Sequence, residues 1–155
     1  RSPSRGLGDV YKREQVEDGM YEYVKNINVD SIPWCLEYFN DSKNTSLCFK
    51  RNADPVIKEK YISGAYKAEF NFSVLLQSSK RDTKAMLDLS RVLYALANVF
   101  EEEEKQGFPS LKLEGAIPIG LEMTDLPADY EGEGIKLSTF MAGFKLTYEK
   151  KGRFE

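Results

Sequence analysis

Apolar positions recur along this chain with two different periods, and the change from one to the other marks out its elements. The cleanest stretch covers residues 64–77, where Ala68, Phe70, Phe72, Val74 and Leu76 alternate with Lys67, Glu69, Asn71, Ser73 and Gln77. A period of two with one polar face predicts a strand of an antiparallel sheet covered on one side, with Leu75 as the exception. Residues 78–82 turn the chain, and the period then becomes 3.6. Met86, Leu89, Val92, Leu93, Leu96, Val99 and Phe100 form one stripe, so a helix capped by Asp82 or Thr83 must lie on the sheet until Gly107 and Pro109 stop it. A first helix is expected over 10–27, capped by Asp9, with Val16, Met20, Tyr23, Val24 and Ile27 on its apolar side. Gly19 inside it weakens such a helix by about 1 kcal/mol.

Residues 34–39 and 45–51 read as the two strands of a hairpin around the polar turn 40–44. Residues 52–63 carry Asp54-Pro55, which breaks a strand, and the solvated Lys58, Glu59 and Lys60. They read as a long loop or arm with room for a short strand in its middle. After the second helix, Leu111, Leu113, Ile117, Ile119, Leu121 and Met123 build a strand in which Gly115 and Pro118 point to a bulge or an edge. A polar loop is expected over 125–134 and a last strand over 135–150. The apolar face of that strand changes parity between Leu137 and Phe140, as a β-bulge would produce, before Phe140, Ala142, Phe144, Leu146 and Tyr148 turn inward. The fold class is α/β in the α+β sense: a mostly antiparallel sheet of four or five strands packed on one face by two helices. One domain spans 9–150, between flexible tails at 1–8 and 151–155.

Composition narrows what such a domain does. A chain of 155 residues buries about two-thirds of its unfolded surface and needs neither disulfide nor metal to hold a core. A net charge of −3 argues against a protein that works by neutralising phosphates. With no histidine, the commonest general base and metal ligand is missing. Cys35 and Cys48 fall in neighbouring strands and are expected as buried free thiols. No apolar run approaches the ~18 residues that cross a bilayer, and no secretory signal is expected. The glycines of Glu131-Gly132-Glu133-Gly134 lie among acids that would repel a phosphate, and Asp125 with Asp129 reads more simply as part of a solvated loop than as a catalytic pair. No catalytic residue, cofactor or metal is therefore expected.

Two groups remain as candidates for contact. Glu101, Glu102, Glu103 and Glu104 stand at a helix C-terminus, where acids oppose the macrodipole. They read as a solvated helix end or as a negative surface, for docking or for lining a passage that DNA must not stick to. Tyr61, Tyr66 and Tyr130 fall in loops or at strand starts and suit half-wet interfaces, together with Asp54, Pro55 and Lys58 of the arm.

From Ala65 onward the chain resembles the tail terminator proteins of long-tailed phages, including their minor capsid group. The resemblance rests on the strand over 68–76, the turn 78–82, the helix beginning Lys84-Ala85-Met86, the segment Glu122-Met123-Thr124-Asp125-Leu126-Pro127 and the closing strand ending Phe144-Lys145-Leu146-Thr147-Tyr148. Asp125-Leu126-Pro127 leads through Gly132 and Gly134 into the last strand, as the corresponding loop does in that family. The resemblance implies a small α/β fold without catalytic residues, assembled as a homo-oligomeric ring, a hexamer. Such a ring caps the tail tube protein below, meets the head-completion or connector protein above, and lets DNA pass without specific binding. It also implies a place in the virion after assembly in a bacterial cytoplasm, without membrane contact, and gives the arm over 52–63 a neighbouring subunit to reach. Two other readings fit the residues: a small adaptor or inhibitor binding one partner protein, and an enzyme using the acids of 125–133 with a divalent ion.

Overall fold

The long alternating strand, β4 (Tyr66–Ser78), is the spine of a six-stranded sheet. The computed structural model describes residues 4–29, 32–36, 45–52, 57–78, 83–129 and 138–150. The strand order is β1 (Trp34–Leu36), β2 (Ser46–Arg51), β4, β6 (Ser138–Lys150), β5 (Ala116–Asp129), with β3 (Ile57–Lys60) also paired to β4. Both helices, α1 (Ser4–Lys25) and α2 (Thr83–Lys105), lie on one face, which makes this an α+β fold.

The two periods of the sequence meet in the core. Ala68, Phe70, Phe72, Val74 and Leu76 of β4 and Phe140, Ala142, Phe144, Leu146 and Tyr148 of β6 are buried together, in one unbroken register from Ser78↔Ser138 to Tyr66↔Lys150. Leu89, Leu93, Leu96 and Phe100 of α2 and Val16, Met20, Tyr23 and Val24 of α1 close over them. Phe72 stacks on Phe144 at 5.5 Å, and the Phe100 ring meets Phe144 edge-on at 5.1 Å. Burying each such ring contributes about 1.5–3 kcal/mol. Gly107 (φ 79°) ends α2 in a Schellman turn, with Phe108 N–H donating to Glu103 C=O at 2.8 Å and Gly107 N–H to Glu104 C=O at 3.1 Å.

Several expectations are corrected. Helix α1 begins at Ser4, so residues 4–8 belong to it and Asp9 does not cap it. β1 and β2 form no hairpin but pair in parallel, Trp34↔Leu47 to Leu36↔Phe49. The segment expected as a loop or arm with a short strand in it does hold a strand, β3, which pairs with β4 along the same edge as β2 instead of reaching away, and turns into β4 through Tyr61-Ile62-Ser63-Gly64; residues 53–56 lie outside the described residues. β5 runs on to Asp129, through residues expected as loop. β6 pairs with β4 without a shift from Ser138 onward, while Leu137, where the expected bulge begins, lies outside the described residues; β5 carries irregularities at 118/120, 123/125 and 125/128. β5 is the edge strand that Pro118 foretold.

The outer face of the sheet is not uniformly wet. Cys35, Cys48 and Leu75 are buried there with Met141 against them, one row across four strands. Both cysteines are free thiols. Further along, Lys145 lies between Glu122 (3.1 Å) and Glu69 (3.7 Å).

Candidate functional site

The four-glutamate run divides in two. Glu101 and Glu102 point to solvent and reach only Lys105, at 3.3 and 4.0 Å. Glu103 turns inward and is 7 % exposed, its Oε2 accepting the N–H groups of Ser110 (2.7 Å) and Leu111 (2.6 Å). Glu104 Oε1 accepts the Leu121 N–H at 2.8 Å and so closes part of the open edge of β5. The reason is helical geometry. Successive residues turn by about 100°, so a run of four cannot share one surface; the segment after α2 offers amides to Glu103, and β5 offers one to Glu104. Glu103 is therefore withdrawn from the expected acidic surface, while Glu101, Glu102 and Glu104 remain exposed.

Beside Glu103 a cleft of about 420 Å³ opens between the end of α1 and the segment after α2, lined by Tyr23, Ile27, Val99, Glu103 and Lys112. Tyr23 is 8 % exposed, and burial first, then the nearby Glu103 charge, pushes its hydroxyl well above the usual tyrosine range. Gly19 forms part of the wall, where the Lys112 carbonyl passes so close that a β-carbon would lie 2.9 Å from it. None of the sequence signals pointed to this cleft, because it forms where two distant segments meet; Val99, expected in the buried stripe of α2, is exposed at its wall.

The second feature is the β3–β4 hairpin tip. Tyr61 N–H donates to Ala65 C=O (2.9 Å) and Gly64 N–H to Tyr61 C=O (3.1 Å), with Gly64 at φ 90° supplying the left-handed residue that such a turn requires. Ile62 at its apex is fully exposed and Tyr61 is partly so. Turn positions favour Gly, Asn, Asp, Ser and Pro, so a β-branched apolar residue there is unusual. The dipeptide Ser63-Gly64 was the available signal for this turn.

Of the tyrosines expected at an interface, Tyr61 is exposed, whereas Tyr66 is buried in the core as the first inward residue of β4. Lys58 falls on β3 at the irregularity between Ile57 and Glu59. Asp54, Pro55 and Tyr130 lie outside the described residues, as do Glu131 and Glu133. Asp125 lies on strand β5, not in a loop, with its carboxylate against Gly143. Among the described residues no three Cys, Asp or Glu side chains are grouped as a metal site, and no helix is long and apolar enough to cross a membrane. Comparison with models of known families and with curated proteins found no match.

Proposed function

We propose that this chain is a structural protein of a phage tail or tail-like particle, a terminator that assembles as a ring on the tail tube and joins it to the head or neck. The observation that carries this reading is the β3–β4 hairpin. It places an apolar tip, Tyr61 and Ile62, in solvent at the segment where the phage resemblance asks for a contact between subunits. Two further features support it. The outer edges of β3 and β5 have no strand beside them among the described residues, and open edges are where chains of one kind join. Glu101 and Glu102 are exposed acids suited to a passage through which DNA slides.

The test is the solution mass by light scattering on a sizing column, alone and with purified tail tubes. The expected result is a discrete ring, a hexamer, either alone or on the tubes. A monomer at all concentrations that leaves tubes unbound would overturn the reading. The adaptor alternative then takes its place, favoured by Leu87 and Tyr94, which stand exposed two turns apart on α2.

A further inference from the structure

We propose that Cys35 and Cys48 form a thiol–disulfide exchange site whose oxidised form fastens the edge strand β1 to the sheet. This site does not depend on the ring reading. The chain has two cysteines, and the parallel pairing of β1 with β2 sets them directly opposite each other, Cys35↔Cys48. Opposed positions on neighbouring strands project to the same face. Here both side chains are buried in one small cluster with Leu75, and Met141 packs against it. Neighbouring strands lie about 4.7–4.9 Å apart, inside the span of roughly 4.4–6.8 Å between α-carbons that a disulfide bridges. Because the side chains project alike, the β-carbons stand about as far apart as the strands, wider than the ~3.8 Å typical of the bond. Closing it draws the two strands together and leaves it easily reduced. Both residues are thiols in this structure.

The position of β1 decides which sulfur reacts first. β1 is three residues long, and among the described residues its one strand partner is β2, which is itself flanked by β4. Cys35 is 6 % exposed and Cys48 1 %. A short edge strand with few hydrogen bonds opens locally, so a reagent reaches Cys35 before Cys48. The Cys35 thiolate attacks one sulfur of a small disulfide, that of glutathione. The reagent's S–S bond breaks, one glutathione leaves as a thiolate and takes up a proton, and Cys35 carries the other. Cys48, its proton given to solvent, then attacks the Cys35 sulfur and expels the second glutathione, which is protonated in turn. The protein loses two electrons and two protons, and one glutathione disulfide becomes two thiols. The new bond holds β1 at its middle residue. Beside it the Trp34 indole N–H donates to the Ile27 C=O at 3.1 Å and ties the same strand to the segment after α1.

The test uses the folded full chain, without denaturant, equilibrated with glutathione disulfide and then treated with an alkylating reagent before its mass is read. The expected product is a single chain that has lost two hydrogen atoms and takes up no alkyl group. Its digest joins the peptides that carry Cys35 and Cys48, and dithiothreitol restores the starting mass. In the oxidised form the amides of residues 34–36 are expected to exchange with deuterium several-fold more slowly than in the reduced form. Cys48→Ala is expected to stop at one glutathione held on Cys35. Wild-type thiols that both stay open to alkylation would overturn the proposal, and so would a glutathione adduct that never closes or a bond between two chains. A bond that forms in urea but not in the folded protein would do the same, as would unchanged exchange at β1 in the oxidised form. The ring reading is untouched by each of these outcomes, because the solution mass of the reduced protein tests it separately.

Discussion

Gly19 lies where α1 crosses the segment after α2, and two opposing effects meet at its α-carbon. Alanine there would favour the helix by about 1 kcal/mol. Its methyl group would also lie 2.9 Å from the Lys112 carbonyl and 3.1 Å from Leu113 Cδ2, and a backbone oxygen has little room to move aside. Overpacking of this kind costs about 1–3 kcal/mol, so Gly19→Ala is expected to lower the denaturant midpoint, against its helix propensity. A raised midpoint would mean that the helix swings clear. In the sequence this glycine read only as a flaw in a helix. Its use was illegible because the carbonyl it admits comes from a segment more than ninety positions away. Burial of the β4 residues was legible for the opposite reason, since alternation is a local property of neighbours on a strand.

The elements were readable where period alone decides and unreadable where path decides. α2 and β4 match their patterns, and the glycine stop at Gly107 has its Schellman turn. The direction of β1 depends on how the chain returns to start β2, and no side-chain pattern encodes that. β3 was legible only as room for a short strand inside a charged segment, since a four-residue edge strand needs few apolar residues. The bulges of β5 break its alternation, so its last residues looked like a loop. The junction of α2 with the segment that leads to β5 supplies a sharp test. Glu103→Ala leaves one buried and one part-buried backbone N–H group without its acceptor and is expected to cost about 1.5–3 kcal/mol. Glu101→Ala removes an exposed ion pair and is expected to stay within about 0.5 kcal/mol. Equal costs in urea unfolding would show that the inward placement of Glu103 is wrong.

For the molecule as a whole, alkaline stability reports the buried polar layer. Folding raises the Tyr23 pKa above its ordinary 10.0 by burial and by Glu103. It raises that of Lys145 above its ordinary 10.5, chiefly through the hydrogen bond with Glu122, against an opposing desolvation, with Glu69 adding to the rise. A group whose folded pKa is raised contributes fully below the unfolded value, and that contribution fades as pH climbs past it. Stability is therefore expected to hold up to about pH 10 and to fall above it. Tyr23→Phe should flatten that fall, seen as a smaller difference between urea midpoints at about pH 9 and about pH 11. An unchanged difference would show that Tyr23 titrates freely in the native state. Architecture at this scale was legible as a class, two helices over a mostly antiparallel sheet. The cleft and the hairpin tip were not, because each depends on where separate elements end.

The unbroken pairing of β4 with β6 also governs the order in which the chain can fold. These strands are neighbours in the sheet, yet Ser78 meets Ser138 and Tyr66 meets Lys150, with α2 and β5 intervening in sequence. Closing such distant contacts is slow, since the entropy of a large loop is lost before any pairing offsets it. Among the described residues β5 has no strand partner but β6. A chain emerging from the ribosome therefore presents β4 with one bare edge and β5 with none of its ladder until β6 has left the exit tunnel. During that interval Phe70, Phe72 and Val74 lack the strand that flanks them, and the nascent protein is at its most prone to aggregate.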